Sequence, residues 1–225
     1  MQRFELLILD CDGVLVDSER ITNRVFAQML KQLGVSVTLE DMFEHFVGRE
    51  MSQCLDLVAE LSGRPVPDEF ESNYRVRTRA ALLSELTAVP GIEAALDVIE
   101  LPYCVASNGS QEKMRMTLGI TGLLSRFEGK LVSATEVLRG KPAPDVFLHA
   151  AKKYGASPSA CAVVEDTPTG VTAAVAAGMT VFGYAAPTPS ARLLAAGACQ
   201  TFSHMSELPK LISKPGNVTT KMTMR

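Results

Sequence analysis

The chain opens on a short unbroken apolar run, Leu6 to Leu9, which stops at Asp10. Four apolar residues without polar alternation are the pattern of a strand covered on both faces, as in a parallel sheet between helices. Similar runs recur at Tyr103–Ala106, Lys130–Val132, Ala162–Val164 and Thr180–Phe182. Between them the apolar positions return with the helical period, over Glu112–Leu118, over Val146–Tyr154 before Gly155, and over Gly170–Ala177 before Gly178. Glycine just past a helix end suits the left-handed closing residue. Strands alternating with helices predict an α/β fold with a doubly wound parallel sheet.

From about Asp17 to Leu86 the alternation stops. Only helical patterns appear there: Ile21–Leu33 before Gly34, Ser52–Leu61 before Gly63, and Asp68–Leu83. An all-helical stretch directly after the first strand reads as a small inserted domain. The organisation expected is a core of residues 1–16 and 87–213, a helical insert at 17–86, and a frayed polar tail at 214–225. Val89-Pro90-Gly91 marks the return to the core. Asp17 and Ser18 are expected to cap the first helix of the insert and to act as its hinge, with Glu19 in the favourable first turn.

Composition narrows the function. With 47% hydrophobic residues among 225, the chain can bury a large core. A net charge of −3, from 22 basic and 25 acidic residues without a basic block, gives nucleic acid no electrostatic footprint. The five cysteines are odd in number and form no Cys-x-x-Cys pair, so they read as reduced thiols rather than a zinc site or a disulfide framework. No run approaches the ~18 apolar residues of a membrane span, and the N-terminus lacks a signal-peptide pattern. The expectation is a soluble, cytoplasmic monomer without membrane or nucleic-acid partners.

Open parallel sheets bind ligands at the carboxyl ends of their strands. Asp10-Cys11-Asp12-Gly13 follows the first run, and Ser107-Asn108-Gly109 follows the second. Gly140-Lys141-Pro142 comes after the third, and Glu165-Asp166 after the fourth. Each alone is an ordinary turn, a solvated lysine or a helix start; together, they place polar groups on one edge. Asp10, Asp12, Glu165 and Asp166 crowded there would repel one another and call for a hard cation such as Mg²⁺. With such a cation, a phosphate dianion can approach Asp10, which then serves as a nucleophile and forms an aspartyl-phosphate. Asp12 is placed to protonate the leaving alkoxide and then to activate water. Lys141 supplies fixed positive charge, and Ser107 donates to phosphoryl oxygens.

These segments, Asp10-Cys11-Asp12-Gly13-Val14-Leu15-Val16-Asp17-Ser18, Ser107-Asn108-Gly109, Gly140-Lys141-Pro142-Ala143-Pro144-Asp145 and Val164-Glu165-Asp166-Thr167, resemble the four motifs of the haloacid dehalogenase (HAD) superfamily. The resemblance spans nearly the whole chain and implies a Rossmann-like core. It also implies Asp10 as nucleophile and Asp12 as general acid/base. Mg²⁺ would be held by Asp10, the backbone carbonyl of Asp12 and Asp166, with Glu165 direct or through water. The helical insert resembles the cap of the β-phosphoglucomutase-like branch, which closes over substrate. A carbon–halogen hydrolase needs no acid at position 12, so Asp12 favours phosphoryl transfer. The β-phosphoglucomutases themselves carry a His in the first cap helix where Thr22 stands here, which sets a mutase second. A catalytically silent binding relative would lack one of these groups, and all are present. Pro102 to Gly109 with Lys113-Met114, and Leu208-Pro209, are similar to the bacterial 6-phosphogluconate phosphatases. The substrate implied is a small sugar or sugar-acid phosphate. In the insert, Arg49 and Arg75, and on the core Asn108, are the residues expected to meet the rest of that substrate. His45, His149 and His204 show no ligand spacing, and Cys11 is expected to point away from the two aspartates beside it.

Overall fold

The computed structural model describes residues 4–38, 41–42, 45–46, 51–186 and 188–213, so Arg49 and the tail at 214–225 lie outside the described residues. Six strands form one parallel sheet: β1 (Leu6–Leu9), β2 (Tyr103–Ser107), β3 (Leu131–Ser133), β4 (Cys161–Glu165), β5 (Thr180–Tyr184) and β6 (Gln200–Phe202). Their order across the sheet is β3-β2-β1-β4-β5-β6. The chain winds from β1 through β2 to β3, then crosses to the other side of β1 and continues through β4 to β6. Direction therefore reverses at the β1–β4 boundary, where doubly wound sheets open a crevice.

Each side of the sheet carries its own helices. Leu7, Leu9, Val105, Ala162 and Val164 pack towards α4 (Ile92–Val98), α5 (Gln111–Ile120) and α9 (Leu208–Ser213). Leu6, Ile8, Cys104, Ala106 and Val163 pack towards α6 (Asp145–Lys153), α7 (Pro168–Ala176) and α8 (Ser190–Ala196). Adjacent residues of one strand thus serve opposite layers, which is why the strands read as unbroken apolar runs. All four residues of β1 are at most 1% exposed. Burial of each such side chain contributes about 1.5–3 kcal/mol.

The stretch after β1 is helical among its described residues: α1 (Glu19–Gln32), α2 (Met51–Ser62) and α3 (Phe70–Glu85). On α1, Ile21, Val25, Phe26, Met29 and Leu30 make one apolar face. A third buried cluster runs from Val25 to Phe70 and includes Met42, Phe46, Cys54 and Val58. Phe26 sits at its centre, with ring centroids 5.4 Å from Phe46, 5.7 Å from Phe70 and 5.2 Å from Tyr74. The chain leaves and re-enters the sheet layer at one place. The Asp17 N–H donates to the Thr87 carbonyl at 3.0 Å, Val16 faces Ala88 in an antiparallel bridge, and the Val89 N–H donates to Leu15 at 2.9 Å.

Three differences from the sequence expectation have simple reasons. β6 was not expected, because Gln200 and Thr201 are polar and only Phe202 of this edge strand is buried. The helices α4, α8 and α9 have six or seven residues each, too short for a repeating apolar period to register. Strand β3 lies one residue later than its apolar run. No helix among the described residues is long and apolar enough to cross a membrane.

Candidate active site

Asp10 follows β1 directly, and its N–H donates to the Val164 carbonyl on β4 at 3.0 Å, which fixes its main chain across the switch point. The turn that follows is tight: the Gly13 N–H donates to Val16, and the Leu15 and Val16 N–H groups both donate to Cys11. Gly13 has φ +80°, and a Cβ there would stand 2.0 Å from Asp166 Oδ2, so both conformation and space demand glycine. Cys11 points away from the aspartates, as expected, with Sγ 3.9 Å from the Thr117 hydroxyl. Burial pushes its thiol well above the ordinary cysteine range, so it is an inert packed group.

Lys141 is the hub. Its ammonium donates to Asp10 Oδ1 at 2.5 Å, to Glu165 Oε1 at 2.6 Å and to the Ala106 carbonyl at 2.8 Å, with a side chain only 5% exposed. Burial alone would lower its pKa, but Asp10 and Glu165 outweigh that and hold it well above the lysine range. Asn108 holds the lysine's main chain: its Oδ1 accepts from the Lys141 N–H at 2.8 Å and its Nδ2 donates to the Lys141 carbonyl at 3.1 Å. The Asn108 amide, expected to meet substrate, thus also positions Lys141. A Cβ on Gly140 would come 2.8 Å from Asn108 Oδ1, so glycine admits that contact. Ser107 ends β2 with its side chain buried, and its Oγ accepts the Gly109 N–H at 3.1 Å.

Glu165 has two tasks. One oxygen meets Lys141, and the other accepts from the N–H groups of Asp166 and Thr167 and from the Thr167 hydroxyl. Thr167 caps α7 through the Gly170 N–H at 3.1 Å, with Pro168 first in the helix, as expected. Asp166 differs from both: it is 0% exposed, and neither carboxylate oxygen has a hydrogen-bond partner. Burial first, then Glu19, Glu165 and Asp10, raise its pKa well above the carboxylate range. Asp10 is likewise raised to about 7, by burial first, with Lys141 opposing.

Asp10, Glu165 and Asp166 each offer an oxygen, all within 4.8 Å of one another. A buried, unpartnered carboxylate among like charges is costly unless a cation meets it, and three hard oxygens suit a divalent ion. The residues fit a metal on that ground. The Asp12 carboxylate, expected in the same cluster, turns elsewhere. Its Oδ1 accepts from the Ser18 hydroxyl at 2.6 Å and its Oδ2 from Lys113 Nζ at 2.7 Å. Burial would raise Asp12, but Lys113 and Ser18 bring it below the usual range; in return Asp12 pushes Lys113 up to about 12. Ser18 stands at the N-cap of α1, yet its hydroxyl makes no capping bond because it serves Asp12.

Two groups escaped sequence reasoning. Glu19, read only as a helix-start residue, has a buried Oε2 without a partner and is raised to about 7 by burial and then by Asp12, Asp10 and Glu165. Lys113 carried a signal that went unread: it is the third residue of α5, where a cation opposes the helix dipole and implies an acidic partner. Arg75 lies on the exposed side of α3, paired with Glu71 one turn earlier. Its neighbour Arg79 reaches Glu112 of α5 at 3.6 Å, joining the helical layer to the sheet layer.

The sequence profile of haloacid dehalogenase-like hydrolases matches residues 4–178. The chain is 35% identical over 212 residues to a 6-phosphogluconate phosphatase of Escherichia coli strain K12, covering 94% of this chain and 96% of the relative. A conserved haloacid dehalogenase-like protein of Agrobacterium tumefaciens, 35% identical, superimposes with a TM-score of 0.88 over 93% of this chain and 97% of the other. A HAD family hydrolase of Deinococcus radiodurans, solved with bound phosphate and sodium, does so with a TM-score of 0.82 at 28% identity, over 96% of this chain and 100% of the other.

Proposed function

The chain belongs to the haloacid dehalogenase-like hydrolase family and is a phosphatase, and from that premise we propose a Mg²⁺-dependent hydrolysis of a small sugar or sugar-acid phosphate through an aspartyl-phosphate on Asp10. The observation that carries the reading is the junction of Asp10, Lys141 and Glu165 beside the unpartnered Asp166. Side chains from two strand ends, those of β1 and β4, and from the loop that follows β3 meet there.

Asp10, Glu165 and Asp166 would hold the metal together with the Asp12 carbonyl, and the bound ion would supply charge neutralisation between substrate phosphate and the acidic cluster. Asp10 attacks phosphorus, and the ester P–O bond breaks. The negative charge of the bound phosphate offsets Lys113 and Ser18 and lets Asp12 take up a proton, which it then gives to the departing alkoxide. The same carboxylate then takes a proton from water as the water oxygen attacks the aspartyl-phosphate, which releases inorganic phosphate and restores Asp10. Lys141 keeps Asp10 oriented and, with Ser107, meets negative charge on the phosphoryl oxygens. The helices of residues 17–86 form a cap over this edge. Glu19 faces the reacting groups from the first turn of α1, and among the cap cations Arg49 and Arg75 are the ones assigned to a substrate carboxylate, which Arg75 would meet in exchange for Glu71. The similarity to a 6-phosphogluconate phosphatase makes 6-phosphogluconate the first substrate to try.

Phosphate release from 6-phosphogluconate, glucose 6-phosphate, β-glucose 1-phosphate and 2-phosphoglycolate, with Mg²⁺ or EDTA, tests the proposal. Release that needs Mg²⁺ and vanishes in Asp10→Asn is the expected result. Undiminished release by Asp10→Asn, or release indifferent to EDTA, would remove the aspartyl-phosphate mechanism.

A further inference from the structure

Resting on the reading of Asp12 as the proton donor and acceptor of a phosphatase, we propose that Lys113 is a positioning residue for that carboxylate. Asp12 is held at both oxygens, by Ser18 at 2.6 Å on one and by Lys113 at 2.7 Å on the other. A carboxylate held at one oxygen can still turn about its last bond; held at both, its plane is set. The two holders belong to different parts of the molecule. Ser18 is the N-cap of α1 in the helical layer, and Lys113 stands on α5 against the sheet. Lys113 is therefore the restraint that ties Asp12 to the same layer as the nucleophile.

The approach of Lys113 is built into the main chain. Its stem passes over Gly109, where an added Cβ would lie 3.4 Å from Lys113 Cδ, 3.4 Å from Ser107 Oγ and 3.9 Å from Asp12 Oδ2. The Ser110 side chain accepts the Lys113 N–H at 3.2 Å, which fixes the first turn of α5 and the direction in which the lysine leaves it. The adjacent Glu112 reaches the other way, to Arg79 of α3. A cation at this end of a helix works against the dipole, so the arrangement is held by Asp12 and not by the helix. Lys113 has no place among the oxygens of the cation cluster and none in the bonds of Lys141.

A double-mutant cycle of Lys113→Met and Asp12→Asn tests this on 6-phosphogluconate, or the best phosphate of the panel above, and on 4-nitrophenyl phosphate. Lys113→Met is expected to lower kcat on the sugar phosphate roughly 10–100-fold, the scale of a misplaced catalytic group, with KM little changed. Nitrophenolate departs without a proton, so the loss in its single-turnover release should shrink to about threefold. Lys113→Arg should recover part of the loss, and Lys113→Met should cost nothing further in the Asp12→Asn background. Equal losses on both esters with a raised KM, or full additivity in the cycle, would overturn the proposal and make Lys113 a phosphate-binding group. Lys113→Gln substitutes if the methionine variant does not fold. A crystal structure of the variant gives a readout free of turnover: Asp12 is expected to turn about its last bond while Ser18 still holds one oxygen, and an unmoved Asp12 would equally overturn the proposal. If the wild type releases phosphate from no ester, the phosphatase reading falls while the structural arm still decides the Lys113–Asp12 relation.

Discussion

The carboxyl edge of the sheet and the helical layer above it are held together by different physics. At the edge, buried charges answer one another: Lys141 meets Asp10, Glu165 and a main-chain carbonyl, and Glu165 meets Lys141 and the start of α7. In the helical layer the centre is apolar, with Phe26 among aromatic neighbours, and the ion pairs lie outside, as Arg24–Glu85 and Arg75–Glu71 do. The division separates a charge-fixed edge from a helical layer with an apolar core of its own. Pairs of buried charge tolerate little displacement, whereas an apolar cluster with its own core can shift as a unit.

The sharpest way to break the comparison is at the nucleophile. Asp10→Asn should lower phosphate release by roughly 10³-fold or more, the scale of losing an essential group, and leave the thermal transition in place. A large loss of folding would mean that Asp10 matters chiefly as the partner of Lys141. Next comes Lys141→Met, which strands Asp10 and Glu165 without their cation. Urea unfolding without divalent ions should show a loss of about 3–5 kcal/mol; a loss below about 1 kcal/mol would show that the edge is not held by its charges. Leu30→Ala, in the apolar centre of the helical layer, should cost about 2–5 kcal/mol. Hydrogen exchange should place that loss in residues 19–85 while β1 and β4 keep their protection; uniform loss would mean that the two regions unfold as one. The smallest effect belongs to Arg79→Ala, which removes an exposed pair at 3.6 Å between the layers. Stability should change by less than about 0.5 kcal/mol, since exposed pairs are weak.

The same contrast explains what could be read from the chain. The edge was legible because each of its groups follows a strand, and strand ends converge whatever the loops do. Asp10, Ser107, Glu165 and Asp166 needed only the apolar runs before them, and Lys141 only its place in the sheet's return connection. Partners set by rotamers were not legible. Nothing in the order of residues says that Ser18 turns from its own helix to Asp12, or that Asn108 grips the Lys141 main chain. Glu19 looked like an ordinary first-turn acid because its surroundings, Asp10, Asp12 and Glu165, come from other elements of the fold. Arg75 is expected at the substrate as a cation of the insert, and its place in the sequence does not reveal that Glu71 one turn earlier pairs with it.

The side-by-side crossings at Val16–Asp17 and Thr87–Val89 have a consequence for how such a molecule changes over time. Because the outgoing and returning backbones are one hydrogen bond apart, everything between them hangs from the sheet as a loop hangs from a hairpin. Lengthening a loop whose ends already meet adds little closure entropy. Helices can therefore be gained, lost or traded at this doorway without altering the register of β1 against β2 and β4. One chemical engine can in this way be passed from substrate to substrate by replacing its roof.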